Sequence, residues 1–199
     1  MSPPSVDFKS LHDQFRSRVL RYVTRLAGEA EAEDITQSVM LKVNDGLSGF
    51  RGDASVSTWV YRIATNVALD RLRHRAVQPV TETGYEFDDD DLPPAAQGPS
   101  VEATAIREEM SACIGEFVDR LPENYKTMMI LSEIEGCTNG EIAAIMDLSL
   151  DTVKIRLHRA REKLRKDLEA ECSFYRDESA ELACDRKPAA PIRFSPPRR

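Results

Sequence analysis

The sequence predicts an all-α protein with two small helical domains, an N-terminal helical bundle and a C-terminal helix-turn-helix, joined by an acidic flexible linker. Three observations support this prediction. Apolar residues recur at spacings of three and four in two separate blocks, which is the period of an amphipathic helix. A segment rich in proline and aspartate, without that period, separates the blocks. The longest apolar run, residues 142–146, is far shorter than the about 20 residues of a membrane span, so we expect no membrane insertion.

The N-terminal domain, residues 7–76, is predicted to contain three helices. The apolar stripe of the first comprises Phe8, Leu11, Phe15, Val19, Tyr22, Val23 and Leu26. We expect Gly28 to end this helix. The second helix covers roughly residues 30–47, and its apolar face comprises Ile35, Val39, Val43 and Leu47. A third helix begins after a cap at Ser55 or Ser57 and continues to about residue 74.

The third helix is predicted to have two contrasting faces. Its inward face comprises Trp59, Val60, Ile63, Ala64 and Val67. Its polar face, with positions i, i+4, i+8 and i+11, comprises Arg62, Asn66, Asp70 and Arg73. Trp59 shares the stripe of Ile63 and Val67, so we expect it to belong to the core.

The C-terminal domain, residues 106–169, has clear helix boundaries. Pro122 suits the first position of a helix that Gly136 ends. Thr138 and Glu141 form a capping box that opens a short helix through about residue 146. A turn then leads to Ser149, the expected cap of a long helix. The apolar positions of that helix are Leu150, Val153, Leu157, Ala160, Leu164 and Leu168. This succession is typical of a helix-turn-helix.

Charge is distributed unevenly along the chain, whose formal net charge is −7. The predicted linker, residues 77–105, is acidic and contains neither lysine nor arginine. In contrast, residues 150–168 hold seven basic and three acidic side chains. A basic second helix of a helix-turn-helix indicates binding in the major groove of DNA, in spite of the acidic total. The alternative is a solvated basic face on a bundle helix, which would leave the capped short helix and the turn unexplained.

Both blocks resemble one family. The segment LPENYKTMMILSEIEGCTNGEIAAIMDLSLDTVKIRLHRAREKLRKDL is similar to the promoter-binding domain of bacterial extracytoplasmic-function sigma factors. AEDITQSVMLKV resembles the helix by which these factors grip RNA polymerase, and FRGDASVSTWVYRIATNVALDRLRHR resembles the segment that opens and reads the −10 element. The resemblance implies a group 4 sigma factor that binds core RNA polymerase and directs it to a stress- or metal-responsive promoter set.

The resemblance also assigns roles to individual residues. It implies polymerase contacts for Asp34 and Gln37. The residues implied for the −10 element are Phe50, Arg51, Gly52, Asp53, Arg62, Asn66, Asp70, Arg71 and Arg73. The residues expected at the −35 duplex are Lys154, Arg156, His158, Arg159, Arg161 and Arg165. The run of aspartates at 88–91 resembles the acidic connectors that thread through the polymerase, with a solvated spacer as the alternative.

The segment 170–199 extends beyond the compact family pattern and is expected to be partly disordered. It contains Cys172 and Cys184, and with Cys113 these cysteines are candidates for binding zinc or another metal, or for sensing thiol oxidation. The third alternative is that the cysteines are incidental. No other cofactor is expected. The extension could also act as a built-in brake, while a separate anti-sigma factor is the other candidate regulator.

Competing classes of function are less well supported. A stand-alone helix-turn-helix repressor or activator would leave the N-terminal block without a role. An enzyme is not expected, because the chain lacks metalloprotease, thiol-exchange and phosphate-loop motifs. Four cysteines without a C-x-x-C pair fit a reducing compartment. Since no secretory signal is visible either, we expect a cytoplasmic protein.

Overall fold

A computed structural model describes residues 7–76, 113–176 and 182–187 of the chain. The predicted linker, the beginning of the predicted C-terminal domain and most of the extension lie outside the described residues. Within them the chain divides into two compact units. The first unit contains residues 7–76 and 121–161, and the second contains residues 113–120, 162–176 and 182–187.

The described part is almost entirely helical, which confirms the predicted all-α class. Its helices are α1 (Phe8–Ala27), α2 (Glu29–Gly46), α3 (Val56–Ala76), α4 (residues 113–119), α5 (Glu123–Met129), α6 (Asn139–Met146) and α7 (Leu150–Glu171). A short 3₁₀ helix, Leu47–Gly49, follows α2, and a π-helix, Ile130–Ile134, follows α5. Two strands, β1 (Cys172–Arg176) and β2 (Leu182–Arg186), form an antiparallel hairpin.

Helices α1, α2 and α3 pack around one apolar core. The predicted stripe of α1 is buried from Leu11 to Leu26, whereas Phe8 is only half-buried. Tyr22 lies edge-on to Tyr61, with ring centroids 5.2 Å apart, and its hydroxyl hydrogen-bonds to the Thr65 hydroxyl at 2.7 Å. Burial raises the pKa of the Tyr22 phenol, which therefore stays neutral in this core.

The ends of these helices follow local rules. Asp7 caps α1 and accepts a hydrogen bond from the Ser10 backbone N–H at 3.1 Å. The side-chain hydrogen bond from Ser10, followed by the backbone one, lowers the pKa of Asp7. Gly28 has φ of +88° and joins α1 to α2 directly. Of the two predicted caps of α3, Ser55 acts, because its hydroxyl accepts from the Thr58 N–H at 3.0 Å.

The helix-turn-helix has the predicted boundaries. Pro122 immediately precedes α5, one position earlier than expected. The capping box of α6 forms: Glu141 accepts from the Thr138 N–H at 2.8 Å, and Thr138 accepts from the Glu141 N–H at 3.3 Å. The backbone hydrogen bond from Thr138, followed by the one that the Thr138 hydroxyl donates to the same carboxylate at 2.8 Å, lowers the pKa of Glu141. The left-handed Asp147, with φ of +54°, then turns the chain towards α7.

Helix α6 packs against α3 within the first unit. Ile142 and Ile145 of α6 are buried, as are Val153, Leu157 and Ala160 of α7. Leu150 is 43% exposed, so the prediction that it belongs to the apolar stripe was wrong. It stands in the first turn of α7, beyond the reach of the core.

The second unit holds the β-hairpin, for which the sequence analysis predicted no strand. Cys172 pairs with Arg186 and Phe174 pairs with Cys184 in the register of the two strands. A backbone hydrogen bond of 2.7 Å from Lys187 to the Glu171 carbonyl closes the open end of the hairpin.

Candidate nucleic-acid interface

Helix α7 presents the basic face that the sequence predicted for duplex DNA. Ser149 caps its first turn and accepts from the Thr152 N–H at 3.2 Å. One side of the helix is committed to the core, and so its cationic side chains lie on the other side. Lys154, His158 and Arg159 are exposed, and Arg156 is half-buried. This is the geometry by which a recognition helix enters the major groove.

Two predicted phosphate contacts of α7 are engaged with neighbouring carboxylates. Arg161 donates to Glu133 at 2.6 and 3.1 Å and to the Ser132 hydroxyl at 3.2 Å. The hydrogen bond from Arg161 is the main cause of the lowered pKa of Glu133. Arg165 donates to Glu169 at 3.4 Å, one turn along the same helix. All these side chains are largely exposed, so their pairs contribute little free energy and DNA phosphates can replace them.

The loop before α3 forms a pocket that suits an extruded base. The Phe50 and Trp59 rings lie with centroids 5.0 Å apart. Trp59, which the sequence analysis assigned to the core, is half-buried and also lines the pocket. The pocket has a volume of about 340 Å³, and its lining includes Phe50, Arg51, Asp53, Trp59, Arg62 and Ala144. Aromatic walls beside a cationic side chain are the usual means of holding an unstacked base.

Glycines shape this pocket at two points. Gly52 has φ of +78°, a conformation that side chains rarely adopt, and it turns the loop back towards α3. A Cβ atom at Gly46 would lie 3.1 Å from Trp59 Cζ2. The absence of a side chain at Gly46 thus lets the indole settle onto the end of α2.

The polar stripe of α3 is exposed, and the arginines on and beside it are paired within the protein. Arg71 donates to Glu31 at 2.7 Å, and Arg75 lies 3.8 Å from the same carboxylate. Asp70 and Arg73 form an ion pair along the helix. The stripe member Asn66 is exposed as well. Arg62, Asn66, Asp70 and Arg73 therefore share one face of α3 with their charges partly neutralised, whereas Arg71 turns towards Glu31 of α2.

Helix α6 covers part of this α3 surface. Arg62 lies 3.7 Å from Asp147, which stands in the turn of the helix-turn-helix. The Tyr61 hydroxyl donates to Glu135, whose carboxylate also lies 3.9 Å from Arg25. Burial and the Glu135 carboxylate raise the pKa of Tyr61, which keeps this hydroxyl a donor. We call this set of contacts between α3 and the α5–α6 segment the closed contact.

Helix α2 displays the two predicted polymerase residues. Asp34 and Gln37 are both exposed, on the side opposite the buried Ile35 and Val39. Leu41, which the sequence analysis did not single out, is 59% exposed one turn beyond Gln37. Its position four residues after Gln37 puts Leu41 on the same exposed face of α2. This spacing could have identified it from the sequence, because the buried apolar face of α2 is complete without Leu41.

The structure gathers Cys113, Cys172 and Cys184 in the second unit. Cys113 interacts with both of the other thiols. Among the residues that the structure describes, no set of three or more potential ligands has an arrangement suited to a metal ion. The metal assignment of these cysteines stays a prediction. Cys137 lies apart in the first unit, where burial raises the pKa of its thiol to about 11.

No helix in the described ranges is both long and apolar enough to cross a membrane. The fold and the surfaces above define a helix-turn-helix DNA-binding protein with a second, helical surface suited to an unpaired strand. Two family models match the chain: the one described as Sigma-70 region 2 matches residues 11–77, and the one described as Sigma-70, region 4 matches residues 111–164.

Similar proteins agree with these matches. The RNA polymerase sigma-H factor of Pseudomonas aeruginosa is 34% identical over 161 residues, which cover 78% of this chain and 83% of that protein. The ECF RNA polymerase sigma factor SigW of Bacillus subtilis is 32% identical over 165 residues, with coverages of 81% and 88%. The chain belongs to the sigma-70 family of RNA polymerase sigma factors, in its extracytoplasmic-function group, and is an alternative sigma factor that directs transcription initiation.

Solved structures show a similar fold. The sigma factor RpoE of Bartonella quintana, in complex with the anti-sigma factor NepR, has a TM-score of 0.60 at 21% identity. That comparison covers 82% of this chain and 97% of that one. CnrH in complex with the cytosolic domain of CnrY has a TM-score of 0.58 at 21% identity, with coverages of 82% and 88%.

Proposed function

We propose that this protein binds core RNA polymerase through the exposed face of α2 and, in that complex, reads the −35 duplex with α7 and the melted −10 strand with α3. It acts in the cytoplasm and has no enzymatic activity, since strand opening draws only on binding energy. The observation that carries the proposal is the presence, in one unit, of a basic recognition helix and an aromatic base pocket. A stand-alone duplex-binding regulator would have no use for the pocket.

The polymerase contact is argued from the face of α2. Asp34, Gln37 and Leu41 occupy positions i, i+3 and i+7, and therefore lie on one side of the helix. A carboxylate and an amide next to an exposed leucine suit a protein partner with a basic rim and an apolar centre. A single exposed leucine is common on protein surfaces. We include Leu41 in the polymerase contact because it lies beside two polar positions that resemble those of sigma factors.

The −35 contact is argued from the first half of α7. Residues near the N-terminus of a recognition helix reach base edges, and those further along reach phosphates. Lys154 and Arg159 are exposed and form no ion pair with any described residue, so they are free to bind DNA. Arg161 and Arg165 would first exchange a carboxylate for a phosphate.

Promoter binding requires the closed contact to open. The −35 and −10 elements are about 25 base pairs apart by name, or roughly 85 Å of duplex at 3.4 Å per base pair. Since α6 packs directly on α3, α7 and the α3 surface cannot reach both elements at once in the closed form. Binding of core polymerase would supply the free energy that separates them.

An anti-sigma factor is the expected protein regulator. One of the similar solved structures is, by its description, a complex of the sigma factor RpoE with the anti-sigma factor NepR. A partner that favours the closed form, or that covers α2, would silence the factor without any chemical change.

Run-off transcription with purified core polymerase tests the proposal. We expect promoter-specific transcripts that fall about tenfold or more for the double variant Asp34→Ala, Gln37→Ala, because contacts at the centre of an interface carry most of its energy. The matched control is Asp13→Ala, Gln14→Ala, the same residue types exposed on α1, which should leave transcription unchanged. No transcripts from the wild type, together with tight duplex binding by the protein alone, would establish the stand-alone regulator instead.

A further inference from the structure

Three cysteines from three separate elements meet in the second unit. Cys113 lies on α4, Cys172 begins β1, and Cys184 lies on β2. The strand register places Cys172 and Cys184 at diagonal positions on the same face of the hairpin. Cys113 interacts with both of their thiols. In sequence, Cys113 is 59 residues from Cys172, so the fold alone brings them together.

Several contacts hold the hairpin against α4 and thus fix the thiols in place. Arg186 of β2 pairs with Glu116, and Arg120 donates to both carboxylate oxygens of Glu171 at 2.8 and 3.1 Å. The Arg120 guanidinium lies 4.2 Å from the centre of the Phe117 ring, and the Arg186 guanidinium lies 5.8 Å from it on the same aromatic residue. The hydrogen bond from Arg120 lowers the pKa of Glu171, so this pair is ionised at neutral pH.

The three thiols have different surroundings: Cys172 is buried, while Cys113 and Cys184 are half-buried. Arg186 hydrogen-bonds to Cys113, and this bond is the first cause of the raised pKa of that arginine. Burial, then Cys113, raises the pKa of Cys172, while Arg186 opposes that rise. For Cys184 the pKa is raised by burial, by Cys113 and also by the Asp185 carboxylate. Cys172 is buried, with 2% of its surface exposed, whereas Cys184 is only half-buried, so Cys172 is the thiol more fully enclosed with Cys113.

We propose that Cys113 and Cys172 form a reversible disulfide when the protein meets a hydroperoxide. The Cys113 thiolate attacks the peroxide O–O bond and becomes a sulfenic acid, releasing water after protonation. The Cys172 sulfur then attacks the Cys113 sulfur, the S–S bond forms, and the sulfenic hydroxyl leaves as water with the Cys172 proton. In total, two thiols and one hydrogen peroxide give one disulfide and two waters.

The cross-link would constrain the chain as well as change its redox state. It joins α4 to β1 and therefore encloses α5, α6 and α7 in one covalent loop. Cross-links of this kind stabilise mainly by restricting the unfolded chain. A reductant of the dithiol class would reverse the step, because exchange needs only access to one sulfur.

The test uses the full chain, purified under reductant and treated with equimolar hydrogen peroxide. Free thiols are alkylated before and after treatment, and the digest is analysed by mass spectrometry. We expect four alkylated cysteines to become two, with one linked peptide containing Cys113 and Cys172 and with Cys137 alkylated throughout. Dithiothreitol should restore all four.

Single variants separate the roles. Cys184→Ser should still form the linked peptide, while Cys113→Ser and Cys172→Ser should not. Cys137→Ser is the matched control and should behave as wild type. Circular dichroism of each variant shows whether it folds. If Cys113→Ser or Cys172→Ser does not fold, the linked peptides of the wild type and of Cys184→Ser still test the Cys113–Cys172 disulfide.

Other outcomes would overturn the proposal. Four alkylated cysteines after peroxide, or a linked peptide that joins a different pair, would remove it. So would stoichiometric zinc in the purified protein that is lost in Cys172→Ser and that protects the thiols from peroxide, because the cluster would then be a metal site.

Discussion

The two helices that we propose to contact DNA differ in whether their basic side chains are paired within the protein. Helix α7 exposes Lys154 and Arg159 without an ion pair to any described residue. Helix α3 carries its arginines in ion pairs: Arg62 with Asp147, Arg71 with Glu31, and Arg73 with Asp70. The proposed duplex-reading surface on the first half of α7 is therefore open, while the proposed strand-reading surface of α3 is internally paired and partly covered by α6.

This difference matches the two kinds of DNA that the helices are expected to read. Duplex is always present, and an exposed basic helix can bind it directly. The unpaired −10 strand exists only after the promoter has melted. Until then, the ion pairs within the protein keep the arginines of α3 from being left without a partner. Exposed ion pairs contribute about 0–1 kcal/mol each, so a DNA phosphate can replace the carboxylate. The contrast can be tested by removing a basic side chain of α7, or by removing the carboxylates that pair with the residues of α3 and α7.

Arg159→Ala should have the largest effect, on duplex binding. Removing a side chain that contacts a base edge costs about 1–3 kcal/mol, or roughly 5- to 150-fold in affinity. Fluorescence anisotropy with a −35 duplex at fixed salt measures this loss. The control is Arg165→Ala, which already pairs with Glu169 and should weaken binding much less. Equal losses for both variants would contradict the assignment of bases to the first half of α7.

Glu135→Ala should open the closed contact. It removes the acceptor of the Tyr61 hydroxyl and the partner of Arg25. Because hydrogen bonds to charged groups are worth about 1.5–3 kcal/mol, we expect affinity for a single-stranded −10 oligonucleotide to rise about tenfold. Anisotropy with that oligonucleotide measures the change. Glu133→Ala, in the same segment but facing Arg161, is the control and should leave single-strand affinity as it was.

Glu133→Gln should have the smallest effect, a gain in duplex affinity of about threefold or less, because it releases Arg161 from an exposed pair. The wild type should show the same release at low pH. The lowered pKa of Glu133 means that the pair is intact above the ordinary value of 4.5 and is lost as pH falls through the lowered pKa. NMR titration of the Glu133 carboxyl measures this pKa, which should return towards its ordinary value in Arg161→Ala.

Much of the fold follows from local sequence signals. The boundaries of α1, α3 and α6 depend on caps and glycines within a few residues, namely Asp7, Gly28, Ser55 and the capping box of Thr138. The apolar stripe of α1 sets its buried face without help from the rest of the chain. These features were predictable because their causes lie within one or two helical turns.

The features that sequence reasoning missed depend on distant contacts. The strand of β2 contains Ala183 and Asp185, which do not favour a strand, and the hairpin is held by Arg186 on Glu116. The π-helix at Ile130–Ile134 follows a stretch that reads as one continuous helix. The closed contact joins residues 74 positions apart, Tyr61 and Glu135, and no local pattern reports such a pairing.

The closed contact would also affect which non-promoter DNA the free factor binds in a cell. A genome offers about 10⁶–10⁹ non-specific duplex sites, and the exposed face of α7 can sample them. Single-stranded DNA at replication forks is a different competitor, and it would occupy the base pocket at Phe50 and Trp59. Because Ala144 of α6 lies at that pocket, the proposed closed form would bind duplex in preference to exposed single strands. Under the proposed function, the factor would then remain available for the single strand that the polymerase opens.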